Sequence, residues 1–401
     1  MTVRVGAGIF YSQDTGNPVF DMARNLAGRV INTANTSTHD LTFEHPFTTS
    51  QNVCNVPVPP YVCITSPFVL GNDYHRRTPY VEQYELNIQR QLSQNTALEI
   101  GYLGTQGHRL ERIQYFNQPT PGPGSTASRS PWPEFGFVQE VIGLVNSNYN
   151  SLAVKLTRRM SNGFTYLLGY TLSKSIDNGS GERVIGTDNI DAQNEYCMQC
   201  ERGLSIFDQR QRFVASTLYQ LPFGRGRAFM NHGLAGALAG GWDLGMIWTM
   251  ASGSPVNIYS GKDQSNTGVG QDRPNVVAGQ TWKLSNPTPN EWFNVQAFAL
   301  QPLYTFGNLG RNVVIGPPLF TVDSSIKKDF KFTEGRYVQL RLDAFNILNH
   351  PNFGVPGNSV NANRLDANGV PIPGTGSFGR ITSTKTGVDM RQLQVSLKVV
   401  F

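Results

Sequence analysis

The sequence predicts an all-β fold, an antiparallel transmembrane β-barrel wall of about ten strands. Two observations lead to this prediction. Apolar and polar residues alternate with a period of two in segment after segment. Short turns and long polar loops join these segments in strict alternation, whereas the turns of a soluble β-sandwich are spaced evenly. The 401 residues, of which 15% are charged, contain no run that approaches the roughly 20 apolar residues of a membrane helix.

The first predicted strand is TVRVGAGIFY, in which alternate residues from Val3 to Tyr11 share one side. YELNIQR and ALEIGYLG follow with the same alternation. The clearest hairpin is NSLAVKLTRRMSNGFTYLLGYTLSKS, where Asn162-Gly163 provides the residue pair that a tight two-residue turn prefers. The remaining predicted strands lie in RFVASTLYQLPFG, GWDLGMIWTM, FTVDSSIKKDF, VQLRLDAF and RQLQVSLKVVF.

The last predicted strand has an apolar face that ends on an aromatic residue. This face is formed by Leu393, Val395, Leu397, Val399 and Phe401. A closed barrel has no sheet edge, so we expect this last strand to pair with the first strand of the barrel and to place these residues against lipid. The pattern resembles the C-terminal assembly signal of bacterial outer-membrane proteins, which implies recognition by the barrel assembly machinery.

The connections differ greatly in length. Short links are predicted near 90–96, 158–164 and 328–336, with a longer Gly-rich link at about 222–241. Long polar loops are predicted at roughly 13–78, 106–146, 176–208, 260–316 and 351–385. Aromatic residues also recur at the ends of the apolar faces, which is typical of the girdles at lipid interfaces. They are Tyr102, Phe164, Tyr170, Tyr219, Trp242 and Trp248.

Charge and cysteine content narrow the function classes. The net charge is +5, but Lys and Arg are scattered and form no basic helix or recognition motif, so we expect no nucleic-acid partner. Cys54 and Cys63 lie close together in sequence, as do Cys197 and Cys200. Only the second pair is C-x-x-C and no His motif accompanies either, so zinc is disfavoured. We expect a loop disulfide for Cys54–Cys63; Cys197 and Cys200 could form a tight disulfide or remain two thiols.

No catalytic, cofactor or metal motif is recognisable. The six histidines are dispersed, and H-E-x-x-H, P-loop and G-x-S-x-G patterns are absent. Acidic residues near basic ones, Asp343 with Arg341 and Asp323 with Lys327, could suggest a barrel-embedded hydrolase. Ion pairs on a wet inner face explain both combinations more simply. We therefore expect a protein that is not an enzyme and has no cofactor.

Several blocks together resemble the TonB-dependent outer-membrane transporters of the Oar-like type. They are TPYVEQYELNIQRQL, LEIGYLGTQGHRL, SNYNSLAVKLTRRMSNGFTYLLGYTLSKSID, FDQRQRFVASTLYQLPFGRG and RLDAFNILNHPNFG. The resemblance extends from about residue 2 to residue 401. It implies a barrel of about 22 strands, of which this chain, as one partial barrel domain at 1–401, would supply the C-terminal portion. The family's signal peptide, plug and energy-coupling box have no counterpart in this sequence, and any export signal would lie upstream.

The resemblance also implies a location, a function and partners. We expect the outer membrane of a Gram-negative cell, with contacts to its lipid and lipopolysaccharide. The function would be uptake, or export, of a bulky ligand through a plugged barrel, driven by the TonB system through the missing N-terminal part. Two alternatives remain open: a self-standing small outer-membrane barrel, porin-like or a membrane protease, and a secreted β-rich adhesin or lectin.

Overall fold

The computed structural model describes residues 1–12, 57–58, 62–63, 69–133, 135, 138–181, 191–224, 226–333 and 335–401. Ten long strands form one antiparallel sheet in which each strand pairs with its neighbours in sequence order, as predicted. The strands are β1 (Thr2–Tyr11), β2 (Tyr80–Ser93), β3 (Thr96–Tyr115), β4 (Val138–Ser161), β5 (Phe164–Asp177), β6 (Gln211–Gln220), β7 (Trp242–Ala251), β8 (Leu319–Thr333), β9 (Arg336–Phe345) and β10 (Gln392–Val400).

The strand register places apolar residues opposite one another on one face of the sheet, which we call the lipid face. Directly opposed residues of antiparallel strands point to the same side, so a row can be followed across the wall. One such row crosses eight strands through Val3, Ile88, Ile100, Val154, Tyr170, Phe213, Met250 and Phe320. On β9 and β10 the pairs Leu342–Val395 and Leu340–Leu397 continue this face.

The other face, which we call the lumen face, carries small and polar residues. The row next to the one above contains Arg4, Asn87, Gly101, Ala153, Thr171 and Arg212. Leu167 and Ile247 also lie on this side and remain exposed. A wall that is apolar on one face and polar on the other suits a barrel with lipid outside and water inside.

Aromatic residues on the lipid face lie at two levels. Phe164, Tyr219 and Trp242 lie at the end of the wall that carries the short connections, which we call the turn end. Tyr170 and Trp248 lie six residues further along their strands, which corresponds to about 20 Å at the rise of a β-strand. This spacing is close to the height of the apolar band of outer-membrane barrels, about 25 Å.

The connections at the two ends of the wall are built differently. At the turn end, Asn162 and Gly163 have φ angles of 52° and 75°, the conformation of the tight hairpin turn predicted from their sequence. A longer link there carries the short helix α2 (Gly233–Ala239), which follows α1 (Thr126–Arg129) in the chain. The opposite end, which we call the loop end, carries the long loops. Among the described residues, no helix is both long and apolar enough to cross a membrane.

The prediction of a loop over 106–146 was wrong for much of that range. β3 has 20 residues and β4 has 24, and residues 110–115 and 139–145 continue together past the loop end as a hairpin arm. Register shifts near Gly107 and Leu110 interrupt the alternation there. Val141 and Val145 of the arm are buried beneath the loops, a role that period-two alternation does not reveal.

The sheet does not close on itself within the described residues. β1 pairs with β2 alone and β10 pairs with β9 alone, so each leaves one row of backbone N–H and C=O groups at an edge. Alternate residues of β10 point to the lipid side and are strongly exposed: Leu393, Val395, Leu397 and Val399. The architecture is therefore that of a partial barrel wall.

The face assignment can be tested on β4 with two matched substitutions. We expect Leu156→Arg on the lipid face to destabilise the folded wall by about 2–4 kcal/mol, because the guanidinium would lie within hydrocarbon. Ala153→Arg points its side chain to the lumen face, where we expect a change below about 1 kcal/mol. Urea unfolding of the protein in lipid vesicles measures both values. Equal costs for the two variants would contradict the assignment.

Candidate functional site

The long loops gather above the loop end into a single body, which we call the loop cap. It comprises the hairpin arm and the described residues of 116–133, 191–210, 252–318 and 346–391. Its hydrophobic core is separate from the wall and is formed by Val256, Ile258, Phe293, Val295, Ala297, Phe298, Leu309, Val314, Val360 and Phe378. Phe293, Phe298 and Phe378 contact one another edge to face, with ring centroids 5.1–5.6 Å apart. The loop cap is thus a packed structure.

Buried ion pairs connect different loops of the loop cap. The Nη1 and Nη2 atoms of Arg273 donate to the two carboxylate oxygens of Glu201 at 2.6 and 2.9 Å. Arg311 pairs with Asp177 at the end of β5 and donates from Nε to the carbonyl of Glu201 at 2.8 Å. These side chains are at most 5% exposed. Removing one partner would leave a charge buried without compensation.

A third buried pair ties the hairpin arm to the same segment. Arg112 Nη2 of β3 lies 3.4 and 3.3 Å from the carboxylate oxygens of Glu195. The backbone N–H of Ala192 donates to the Glu195 carboxylate at 2.8 Å. Gln118 donates to the carbonyl of Gln193 at 2.9 Å and accepts from the backbone N–H of Glu195 at 2.8 Å. The segment 191–202 is therefore bonded both to the arm and to the loop that follows β7.

Burial raises the pKa of Glu195 to about 8, although Arg112 opposes the shift. Asp191 and Glu201 add to the increase because a neighbouring negative charge disfavours ionisation. The pKa of Asp191 is also raised by burial. Glu195 and Asp191, which both lie close to Arg112, thus favour the protonated state more than exposed carboxyls do.

Of the two cysteine pairs in the sequence, only Cys197 and Cys200 lie among the side chains that the structure describes. Cys197 and Cys200 are joined by a disulfide in the short turn between Glu195 and Glu201, with Cα atoms 5.3 Å apart. This bond constrains the segment that carries both buried glutamates. Cys54 lies outside the described residues and Cys63 is described only as backbone, so the predicted Cys54–Cys63 bond stays a prediction.

The polar interior of the loop cap is formed by charged side chains that bond to one another. A small cavity is lined by Arg112, Asp191, Tyr259, Arg273 and Arg311, whose arginines already bond to carboxylates. No group of three or more His, Cys, Asp or Glu residues in the described part of the chain could hold a metal ion. The arrangement bonds different loops of the loop cap to one another.

The lumen face carries further ion pairs, of which one was predicted with the wrong partner. Arg341 pairs with Asp343 at 2.9 Å, as expected. Lys327, however, lies 3.6 Å from Asp243 on the neighbouring strand, and Asp323 instead accepts a hydrogen bond from the Asn346 N–H at 2.8 Å. Residues four apart on one strand are about 13 Å apart, too far for direct pairing, whereas residues on adjacent strands are close.

The residues proposed as an assembly signal lie apart from the loop cap. Val399 is on the lipid face of β10 near the turn end, and Phe401 follows the strand with 99% of its surface exposed. Sequence reasoning did not identify the buried arginine–carboxylate pairs. Their members are 72 to 134 residues apart, and neither charge pattern nor spacing indicates which of them meet.

Comparisons with known proteins agree with a membrane barrel. The family model described as an outer membrane beta barrel domain matches residues 1–394. No curated protein matches the sequence.

Solved structures with similar coordinates include the outer membrane transporter YddB from Escherichia coli, at 9% identity and a TM-score of 0.42, covering 84% of this chain and 34% of YddB. A second is FpvA from P. aeruginosa, in complex with a heterologous pyoverdine and iron, at 10% identity and a TM-score of 0.41. The match covers 83% of this chain and 30% of FpvA. The chain spans about a third of the length of these proteins.

The raised pKa of Glu195 leads to a pH dependence of the loop cap. Between the usual Glu pKa of about 4.3 and the folded value of about 8, the folded state binds more protons, so stability must fall as pH rises. We expect the protection of residues 191–202 from hydrogen exchange, corrected for intrinsic rates, to fall across this range. Glu195→Gln should reduce the decrease to the part that Asp191 contributes, whereas Glu291→Gln at an exposed position of the loop cap should preserve it. An unchanged pH profile in Glu195→Gln would refute the assignment.

The buried pair of Arg273 and Glu201 should matter far more than the exposed pair of Arg341 and Asp343. We expect Arg273→Met to destabilise the loop cap by about 3–5 kcal/mol, because Glu201 is left buried without a partner. Arg341→Met should cost at most about 1 kcal/mol. Rates of limited proteolysis within the loop cap, measured for both variants, report the difference. Similar rates would show that the buried pair does not hold the loops.

Proposed function

This chain belongs to the outer membrane beta barrel domain family, and from that premise we propose that it forms part of the wall and the outer loop cap of a TonB-dependent receptor of the Oar-like type. The receptor would take up, or export, a bulky ligand across the outer membrane. The observation that carries the proposal is that ten strands make an open wall within the described residues.

The open edges favour a barrel larger than ten strands. A backbone N–H or C=O without a partner costs several kcal/mol in hydrocarbon, so membrane-spanning sheets must close. β1 and β10 each present such an edge alongside exposed apolar side chains. Additional strands between them would satisfy both edges. A wide barrel made in this way would leak unless a plug filled it, and the transport motor would then depend on residues outside this wall.

The loop cap suits the recognition of a large ligand. Recognition residues generally lie on loops that a rigid scaffold positions, and here the loops have their own core and buried ion pairs. Their preorganisation lowers the entropy that binding would cost. The TonB-dependent assignment is supported by the sequence blocks that resemble this receptor type. Siderophore, oligosaccharide and peptide or protein cargo all remain consistent with it.

A cross-linking experiment distinguishes the wide barrel from a self-standing barrel of ten strands. The full-length protein would be assembled in cells with Arg4→Cys and Lys398→Cys, on β1 and β10 near the turn end, and treated with a short bis-maleimide. In a wide barrel these residues are separated by further strands, so we expect no intramolecular cross-link. Gly8→Cys with Gln394→Cys, nearer the loop end, should also fail to react.

The matched control places cysteines on strands that are neighbours in the wall. Gln339→Cys and Lys398→Cys face each other across β9 and β10 and should cross-link efficiently. If a β1–β10 pair reacted as completely as this control, the wall would close on itself. The small outer-membrane barrel would then replace the receptor as the better account.

A further inference from the structure

The link between β6 and β7 exposes large apolar side chains at the turn end of the wall. This link contains helix α2, and Leu234 and Leu238 of the helix are 82% and 70% exposed. Phe229 and Met230, just before the helix, are 60% and 56% exposed. A water-exposed turn needs no such cluster, and the Gln94-Asn95 turn between β2 and β3 is polar.

The contacts of α2 place its C-terminal end on the lipid face. Lys328 lies opposite Trp242 and Leu340 in the sheet register, so all three point to the lipid side. Lys328 Nζ donates to the carbonyl oxygens of Ala237 and Leu238 at 2.5 and 2.8 Å. Trp242 Nε1 donates to the same Leu238 oxygen at 3.0 Å. The helix therefore ends against the outside of the wall and does not enter the lumen.

The contacts of Lys328 explain why the C-terminal end of α2 lies at this position. Lys328 is only 4% exposed, and its ammonium lies 5.5 Å from the centroid of the Trp242 ring and 4.9 Å from that of Phe330. The carbonyl oxygens at a helix C-terminus and the faces of aromatic rings both attract a cation. The charge of Lys328 on the lipid face is thus compensated at the edge of the apolar band, and its hydrogen bonds hold the end of α2 in place.

Glycines determine which way the helix faces. A Cβ on Gly236 would lie 2.4 Å from the Met230 carbonyl oxygen, and one on Gly240 would lie 2.5 Å from the Cα of Gly224. This side of α2 is therefore pressed against the rest of the link. Leu234 and Leu238, one helical turn apart, lie on the opposite side because Gly236 is about 160–200° away from each around the helix. Both leucines point away from the protein.

We propose that α2 is an interfacial anchor that inserts Leu234 and Leu238 into the phospholipid leaflet at the turn end. The apolar side of the helix continues the lipid face of the wall, which already meets the bilayer. A basic side chain of the lipid face lies at the same level: the guanidinium of Arg158 lies over the Phe164 ring. A cation at the level of an apolar helix face suits phosphate headgroups above acyl chains.

Spin labels test this placement in the full-length protein refolded into vesicles of phosphatidylethanolamine and phosphatidylglycerol. Labels at Leu234→Cys and Leu238→Cys would be compared with one in lipid, at Leu397→Cys, and one in water, at Gln94→Cys. Accessibility to oxygen, which partitions into bilayers, is measured against a water-soluble nickel chelate. We expect the labels on α2 to give the ratio of oxygen to nickel accessibility that the label at Leu397 gives in lipid, and not the aqueous ratio of the label at Gln94. Labelling of the unsubstituted protein gives the background.

Two results would overturn the proposal. An aqueous ratio at both helix positions would place α2 in water, and shielding from both reagents would mean that α2 packs against protein. The substituted side chains are exposed, and heat-modifiability on gels verifies that each variant is folded. The role of Lys328 has its own readout: Lys328→Met should narrow the spectrum of the label at Leu238 by freeing the helix end, while Lys331→Met should not. An unchanged spectrum in Lys328→Met would refute that role.

Discussion

In the hydrocarbon of a bilayer no water is available to bond a backbone N–H or C=O, so each strand of the wall depends on both of its neighbours. This requirement accounts for the long antiparallel ladder from β1 to β10. It also determines the side chains, because a strand that lipid covers on one face and water on the other must alternate. The uninterrupted apolar row from Val3 to Phe320 shows that the alternation of neighbouring strands is in phase.

Beyond the loop end the same backbone groups meet water, and a different set of interactions holds the chain. Long loops have few ladder hydrogen bonds, so the loop cap is stabilised by a core of its own and by arginines bonded to buried carboxylates. Such pairs stabilise only when complete, since each half alone is a buried charge. They therefore favour one arrangement of the loops, and a single arrangement is what recognition of a particular ligand requires.

At the turn end, one side chain connects the lipid face of the wall to the link between β6 and β7. Lys328 belongs to a strand whose neighbours on the lipid face are apolar, yet its charge is bonded to the end of α2. The helix thereby covers a cation that lipid would not solvate, and the cation holds the helix where its leucines can reach the bilayer. Wall and link thus depend on each other, which neither the alternation of β8 nor the small size of α2 would indicate separately.

The sequence by itself determined the ten strands, their faces and the turn at Asn162-Gly163, because alternation and turn conformation are local properties. It left open whether Cys197 and Cys200 are bonded, it assigned the hairpin arm to a loop, and it gave Lys327 the wrong acidic partner. Only the tertiary structure decided these points and revealed Arg112 with Glu195, Arg273 with Glu201 and Arg311 with Asp177. The physical reason is that charges meet through the folding of loops, and spacing along the chain carries no record of that contact.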